Sequence, residues 1–175
     1  MRLIFLTDHW PYPPGETFLT SDIEALSKHI DEIIVVPVGL DFEESSVPYS
    51  ISPKISVNIK PVTLAVKAWN SWGKFRRAIK GLSRPDILRS ERSRKPSLPW
   101  SIIIGELAQS LLLKDTIART ITLSNNDIIV AYWANRPATI AALLTENRTE
   151  IKTISFAHGG DIYASRVNYP HLPLQ

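Results

Sequence analysis

Cysteine is absent from this sequence of 175 residues, and methionine occurs only once. A chain without cysteine forms no disulfides, binds no zinc through thiolates and has no thiol nucleophile. Long uncharged apolar runs are missing too, so we expect no membrane-spanning helix, which needs about 18 to 20 such residues. We also expect no secretory signal peptide, because the apolar run that follows Arg2 ends at Asp8. These absences together predict a cytoplasmic protein.

The composition is otherwise that of a globular protein, with 44% apolar and 21% charged residues. The length suits one domain better than two, so we predict a single domain over residues 1–175. The four histidines lack H-E-x-x-H or any other ligand spacing, which predicts that no metal is bound. No G-x-S-x-G motif occurs, which argues against a hydrolase with a nucleophile elbow.

Positive charge is concentrated in residues 67–95, which hold ten basic and two acidic side chains. The rest of the chain has ten basic and fifteen acidic residues, so it is acidic. A basic stretch on an acidic body predicts a surface for an anionic partner. A solvated, partly disordered loop would explain the same charges equally well.

Tryptophans and basic residues share a helix that we predict over residues 62–82. Such a helix can lie on an anionic membrane surface, and the same charges could contact nucleic acid, which we do not expect. It can also be an ordinary amphipathic helix whose tryptophans pack on the sheet. The candidates for membrane contact are Trp69, Trp72, Arg76, Arg77 and Lys80.

Short apolar runs alternate with helical patterns along the chain. The predicted strands are residues 2–7, 32–38, 54–61, 127–133 and 151–157, and the other predicted helices are 17–29, 101–123 and 137–147. Residues 83–99 mix proline, serine and arginine, which predicts an exposed or mobile loop. The alternation predicts an α/β layered domain with a mostly parallel sheet.

Three unusual segments follow predicted strands, namely residues 8–17, 132–136 and 158–163. Parallel α/β sheets bind ligands beyond the carboxyl ends of their strands. We therefore expect these segments to converge on one site.

Histidines follow two of these strands. His158 precedes two glycines, where it can donate a hydrogen bond to a hydroxyl or phosphate, or act as an acid or base. Asp161 could orient His158 or bind a sugar hydroxyl. The alternative is a strand-end histidine that bonds the backbone of a glycine turn. His9 stands in the same position after the first strand, where it could also simply organise the turn.

Polar and aromatic residues complete the candidate site. Gly15, Glu16 and Thr17 precede the first predicted helix, where a phosphate could sit, although a tight loop with a helix cap is the favoured interpretation. After the fourth strand, Tyr132 and Trp133 could flank a sugar or base and Arg136 could meet a carboxylate or phosphate. At least one of these two aromatic side chains is expected in the core.

The motifs at these strand ends resemble family 4 glycosyltransferases, including enzymes of bacterial surface-polysaccharide assembly. The matching stretches are Leu3-Ile-Phe-Leu-Thr7 with Tyr12-Pro-Pro-Gly-Glu-Thr-Phe18, the run 26–37, Val130-Ala-Tyr-Trp133, Ser155-Phe-Ala-His-Gly-Gly-Asp-Ile-Tyr163 (the family's R-A-H-G-x-D-x-Y) and Leu172-Pro-Leu174. Two positions depart from the family: Gly160 replaces a frequent aromatic, and Ser155-Phe156 stands in place of the arginine. Residues 39–123 carry no specific match.

The resemblance implies the N-terminal half of a GT-B fold, a Rossmann-like three-layer domain that usually holds the acceptor. The donor domain with its E-x7-E motif is absent from this chain, so the resemblance implies a piece of a longer protein that is inactive alone. It also implies retaining transfer of a sugar from a nucleotide-sugar co-substrate to a glycan or lipid-linked acceptor, without a tightly bound cofactor. A lipid-linked acceptor would place the protein on the inner face of the cell membrane.

The residue roles that the resemblance implies fall into three groups. His158 is the catalytic candidate, close to the donor sugar as positive charge develops on its ring. The donor-binding candidates are Gly15, Glu16, Thr17, Gly159 and Asp161, and the acceptor-binding candidates are His9, Tyr132, Trp133 and Arg136. The alternative is a stand-alone, non-enzymatic module that docks on an anionic membrane or partner through residues 67–95.

Overall fold

The computed structural model describes residues 1–13, 16–39, 48–94 and 98–157. Strands and helices are interspersed along these ranges, with the second and third strands in succession and four helices between the third and fourth. The strands are β1 (Arg2–Thr7), β2 (Glu32–Pro37), β3 (Ile55–Val57), β4 (Asp127–Ala131) and β5 (Lys152–Ser155). The helices are α1 (Leu19–Leu26), α2 (Lys60–Ser71), α3 (Lys74–Leu82), α4 (Pro85–Arg94), α5 (Trp100–Thr120) and α6 (Arg136–Thr145).

The five strands form one parallel sheet in the order β3-β2-β1-β4-β5. β1 lies at the centre and is apolar and buried from Leu3 to Leu6, as expected for a parallel strand covered on both faces. From β1 the chain moves outward to β2 and β3, then crosses back to β4 and β5 on the other side. The predicted α/β fold, Rossmann-like and three-layered, is confirmed.

Alternating side chains of β1 face two different helical layers. Leu3 and Phe5 pack with Leu19 of α1 on one face of the sheet. Ile4 and Leu6 belong to the larger core on the other face, which α2, α5 and α6 complete. α3 and α4 pack on α5 rather than on the sheet. No helix in the described ranges combines the length and apolarity that crossing a bilayer requires.

A buried ion pair joins the amino ends of β1 and β4. Asp127 is 2% exposed, and its two carboxylate oxygens accept bonds from Nε and Nη2 of Arg2 at 2.9 and 2.6 Å. The backbone N–H of Ser124 donates to the same carboxylate at 2.7 Å. Burial alone would raise the pKa of Asp127, but the bonds from Arg2 and Ser124 outweigh it and lower that pKa.

The prediction of a loop over residues 83–99 is wrong for the stretch that forms α4. Ile87 and Leu88 are 2% and 3% exposed and pack in a cluster with Ile103 and Leu107 of α5. This apolar anchor stabilises a helix whose remaining composition is polar. Pro85 occupies the first position of the helix, where the missing N–H costs nothing.

The single helix predicted over residues 62–82 is two helices. Trp72 and Gly73 separate α2 from α3, with extended backbone at ψ 128° and 155° respectively. The break lets α3 change direction and lie against α5.

Candidate functional site

The carboxyl ends of β1 and β4 adjoin the point where the order of strands reverses. β1 and β4 are neighbours, yet the chain leaves them toward opposite sides of the sheet. The segments that follow them therefore diverge and leave a crevice between them, which is where open α/β sheets bind ligands. The hydrogen bond between Trp133 and Glu16 agrees with the predicted convergence of residues 8–17 and 132–136 at this edge.

The buried carboxylate of Glu16 links these two segments. It accepts the backbone N–H groups of Asp8 at 2.8 Å, His9 at 3.1 Å and Trp10 at 2.7 Å. It also accepts the indole N–H of Trp133 at 2.8 Å. Glu16 is only 7% exposed. We call this arrangement the Glu16 clamp, because one side chain fixes the turn after β1 to the segment after β4.

The clamp keeps Glu16 ionised in spite of its burial. Burial alone would raise the pKa of Glu16, but the bonds from its own backbone, Trp10, Trp133 and Asp8 lower it below the ordinary value. Successive backbone N–H groups that point to one spot make an anion-binding concavity. Here the chain's own carboxylate fills that concavity, so the described contacts of Glu16 are structural rather than those of a free donor-binding group. Nor does its side chain cap α1, whose first turn has no side-chain cap.

Five aromatic rings gather beside the clamp. Tyr132 lies at their centre, with ring centroids 6.2 Å from Phe5, 5.7 Å from Phe18, 5.6 Å from Trp133 and 5.6 Å from Phe156. Tyr132 is 7% exposed, which confirms that at least one predicted aromatic belongs to the core. Phe18 and Phe156 are about half exposed, at 50% and 47%. They present apolar ring surface at the edge of the crevice, which the sequence interpretation missed.

Arg136 is already paired with an acidic partner on α5. Its Nη2 lies 3.0 and 2.9 Å from the two carboxylate oxygens of Glu106, and Nε lies 3.3 Å from one of them. Both side chains are less than one fifth exposed. A part-buried pair of this kind is costly to break, because either charge would be left uncompensated. The contact favours a structural role for Arg136, which the separation of 30 residues from Glu106 hides in the sequence.

Asn135 contributes a polar group just before α6. Its side-chain Oδ1 is buried and accepts no hydrogen bond from any residue in the described part of the chain. Buried oxygens without a donor are uncommon in proteins.

The remaining candidates at the strand ends are distributed unevenly. His9 is half-buried and Thr17 is exposed. Gly15, His158, Gly159 and Asp161 lie outside the described residues, and their roles stay predictions. Phe156 follows β5, and its backbone N–H donates to the carbonyl of Ala131 at 2.9 Å, which holds the chain that leads toward His158 beside β4.

The membrane candidates lie on α2, on α3 and at the break between them. Trp69 and Trp72 are half-buried and pack against the larger core. The guanidinium of Arg77 lies 4.8 Å from the centre of the Trp69 ring, and Nζ of Lys80 lies 5.7 Å from that of Trp72. Arg76 is exposed. The tryptophans therefore pack as in the amphipathic-helix alternative.

Two clefts lie away from the crevice. One, of about 300 Å³, adjoins the Arg2–Asp127 pair at the amino ends of the strands, and the other, of about 320 Å³, lies between α5 and α6. The charged lining of the first includes Arg2 and Asp127, which are already paired with each other. Within the described ranges, no three histidine or acidic side chains gather closely enough to hold a metal ion.

The described part of the crevice offers aromatic surface from Phe18 and Phe156, and the Glu16 clamp holds the two segments beside it together. Such a site is suited to hold a ligand with both apolar faces and hydroxyl groups. No family model matches this chain, and neither a curated protein nor a solved structure shows significant similarity to it.

Proposed function

We propose that this chain is the N-terminal, acceptor-side domain of a retaining glycosyltransferase of the GT-B type. The intact enzyme would transfer a sugar from a nucleotide-sugar donor to a glycan or lipid-linked acceptor in surface-polysaccharide biosynthesis. The observation that carries the proposal is the Glu16–Trp133 bond, which joins the two segments that flank the strand-order reversal. Fold alone does not specify a function. The choice of sugar transfer rests on the resemblance of the motifs at three strand ends.

The chemistry of the crevice is consistent with a carbohydrate ligand. A sugar ring has apolar C–H faces that pack on aromatic rings, and hydroxyl groups that need hydrogen-bond partners. Phe18 and Trp133 lie in edge-to-face contact at 6.3 Å and can offer such a surface. We assign acceptor contact to this surface and to His9, with Tyr132 as its packed support.

The donor side of the proposed site falls on residues outside the described ranges and on a second domain. In transfer with retention, the bond between the anomeric carbon and the nucleotide phosphate breaks, and its electron pair leaves with the nucleotide. The acceptor oxygen then bonds to the same face of that carbon, and its proton passes to the departing phosphate oxygen. We assign His158 to hydrogen bonding at the donor sugar as positive charge develops there, with Gly159 and Asp161 beside it. Gly15 and Thr17 are assigned to the donor phosphates.

The first experiment is to read the coding DNA beyond the Gln175 codon and assay the whole encoded protein. We expect a further domain with a paired-glutamate motif, and release of nucleotide from a nucleotide sugar in the presence of an acceptor extract. The His158→Ala variant of that protein should lose most of its turnover. His29 is exposed and lies just beyond the end of α1, so it supplies the control. The His29→Ala variant should leave turnover unchanged.

Two outcomes contradict the proposal. Full turnover in the His158→Ala variant would overturn the role of that histidine. A stop codon directly after Gln175 would remove the donor domain, and would favour the stand-alone docking module instead. The surface of α3 described next is the observation that supports such a module.

A further inference from the structure

Helix α3 carries an apolar ridge on its outer side. Phe75, Ile79 and Leu82 are 77%, 52% and 53% exposed. Their spacing of four and three residues places them on one face of the helix. Single exposed apolar side chains are ordinary, but three in a row on one helix mark an interaction surface.

The packing of α3 holds that ridge outward. On the opposite side, Gly81 is buried against α5, so closely that a Cβ there would lie 2.3 Å from the backbone oxygen of Ile104. Lys80 adds an ion pair to Asp115 of α5 at 2.7 Å. These contacts fix which face of α3 meets the body of the protein, and the ridge lies away from it.

Positive charge borders the ridge. Residues 60–84 contain seven lysines and arginines and no acidic residue. Lys74 and Arg76 are exposed on α3, and no salt bridge among the described residues involves either of them. The ridge therefore sits beside cations that the fold has not neutralised, which makes it complementary to an anionic surface.

We propose that α3 docks this protein on an anionic lipid bilayer, lying parallel to the surface. Phe75, Ile79 and Leu82 would enter the boundary between headgroups and acyl chains, while Lys74 and Arg76 meet the lipid phosphates. A membrane fits better than nucleic acid, because the apolar side chains of the ridge gain little from a phosphate backbone but partition readily into a bilayer. This inference goes beyond sugar transfer and does not depend on it.

The docking surface differs from the one that the sequence suggested. Trp69 and Trp72 are half-buried under Arg77 and Lys80, so they support α3 rather than enter the lipid. The ridge instead belongs to residues that lie beyond the break at Trp72.

The test is sedimentation of the 175-residue chain with vesicles of phosphatidylglycerol and phosphatidylcholine in equal parts. We expect binding that weakens as salt is added, and little binding to pure phosphatidylcholine. The Phe75→Ser/Ile79→Ser variant should bind about tenfold less tightly or worse, since two apolar anchors are lost. The Lys74→Glu/Arg76→Glu variant should lose at least about twentyfold, at about fivefold for each cation near the surface.

Matched variants on α1 and just beyond its end control for general changes in surface polarity and charge. Leu26→Ser removes an apolar side chain that is exposed to a smaller extent, at 38%, and Lys28→Glu reverses an exposed cation. Both should bind vesicles as the parent does. Because every changed side chain is exposed, all variants should keep the parent's thermal midpoint, which circular dichroism checks.

Three results would overturn the proposal. The first is no binding to the anionic vesicles at low salt. The second is equal binding by the ridge variant and the parent. The third is loss of binding in the cation variant alone, with duplex DNA displacing the vesicles, which would point to a nucleic-acid surface. A sugar-transfer assay without activity bears on none of these, so the two proposals fail independently.

Discussion

Removing the carboxylate of Glu16 should destabilise the fold more than any other single change at the crevice. In the Glu16→Ala variant, four N–H donors lose their shared acceptor, including the buried backbone N–H of Trp10. Donors near the surface can turn to water, whereas a buried donor cannot. The variant therefore tests whether the Glu16 clamp is a main support of the two segments.

The size of the loss follows from the type of bond. Hydrogen bonds to a charged group contribute about 1.5–3 kcal/mol each, and they do not add when they share an acceptor. Since Asp8 and His9 can be partly rehydrated, we expect a loss of about 3 kcal/mol in the free energy of unfolding. For a chain of this size that corresponds to a fall of about 6–12 °C in Tm.

Urea unfolding followed by circular dichroism measures this loss. The control is Glu24→Ala, which removes an exposed glutamate from α1 and should change stability by less than about 0.5 kcal/mol. Trp133→Phe removes only the indole donor and should cost about 1 kcal/mol. The order Glu16→Ala, Trp133→Phe, Glu24→Ala is the expected ranking.

The pH dependence gives a second readout of the same clamp. Because the pKa of Glu16 is lowered in the folded protein, its stabilisation is complete above the ordinary glutamate pKa of about 4.3. That stabilisation is lost as the pH falls through the lower folded pKa. The difference between parent and Glu16→Ala should thus be constant near neutral pH and shrink below about pH 4. A Glu16→Ala variant that unfolds with the Glu24→Ala control at pH 7 would refute the reasoning.

Two glycines and one aspartate provide the other predictions. Gly81→Ala should lower the free energy of unfolding by about 1–3 kcal/mol, because the new Cβ meets the fixed backbone oxygen of Ile104. Gly105→Ala should raise it by about 0.5–1 kcal/mol, since nothing lies within 4 Å of a Cβ at that position of α5. The Tm values of the two variants should therefore move in opposite directions. Asp127→Asn should lower the free energy of unfolding by about 2 kcal/mol near neutral pH, where the lowered pKa of Asp127 makes its bond to Arg2 fully effective. That difference should disappear as the pH falls through the folded pKa of Asp127, below about 3.9. Urea unfolding at several pH values measures it. A difference that does not change with pH would contradict the stabilising role of the ionised Asp127.

The strands β1, β2 and β4 could be predicted because they are short apolar runs with polar ends. β1 has the predicted bounds, and β4 begins at the predicted Asp127. β4 ends two residues before the prediction, since Tyr132 already turns into the aromatic cluster. The parallel arrangement of β1 with β2, and of β4 with β5, follows from the helix between the two strands of each pair, which leaves no room for a hairpin.

The contacts within the site could not be predicted, because they depend on partners far apart in the chain. Glu16 and Trp133 are 117 positions apart, and a carboxylate that bonds backbone N–H groups leaves no pattern in the side chains. α4 was missed because seven of its ten residues are polar and hide the buried pair Ile87 and Leu88. The ridge on α3 has visible helical spacing, but spacing alone cannot say which face packs on α5.

The central position of β1 has a consequence for how the protein is made. Its partner on one side, β2, is synthesised soon afterwards, but Arg2 pairs with Asp127, 125 positions later. At about 5–20 residues per second, the ribosome needs roughly 6–25 s to reach that partner. During this interval one edge of the apolar strand β1 has no paired neighbour, and exposed strand edges of this kind promote aggregation. Chaperones that bind the first forty or so residues should therefore limit aggregation of the nascent chain. Slowing translation between β3 and β4 should lower the soluble yield of the protein.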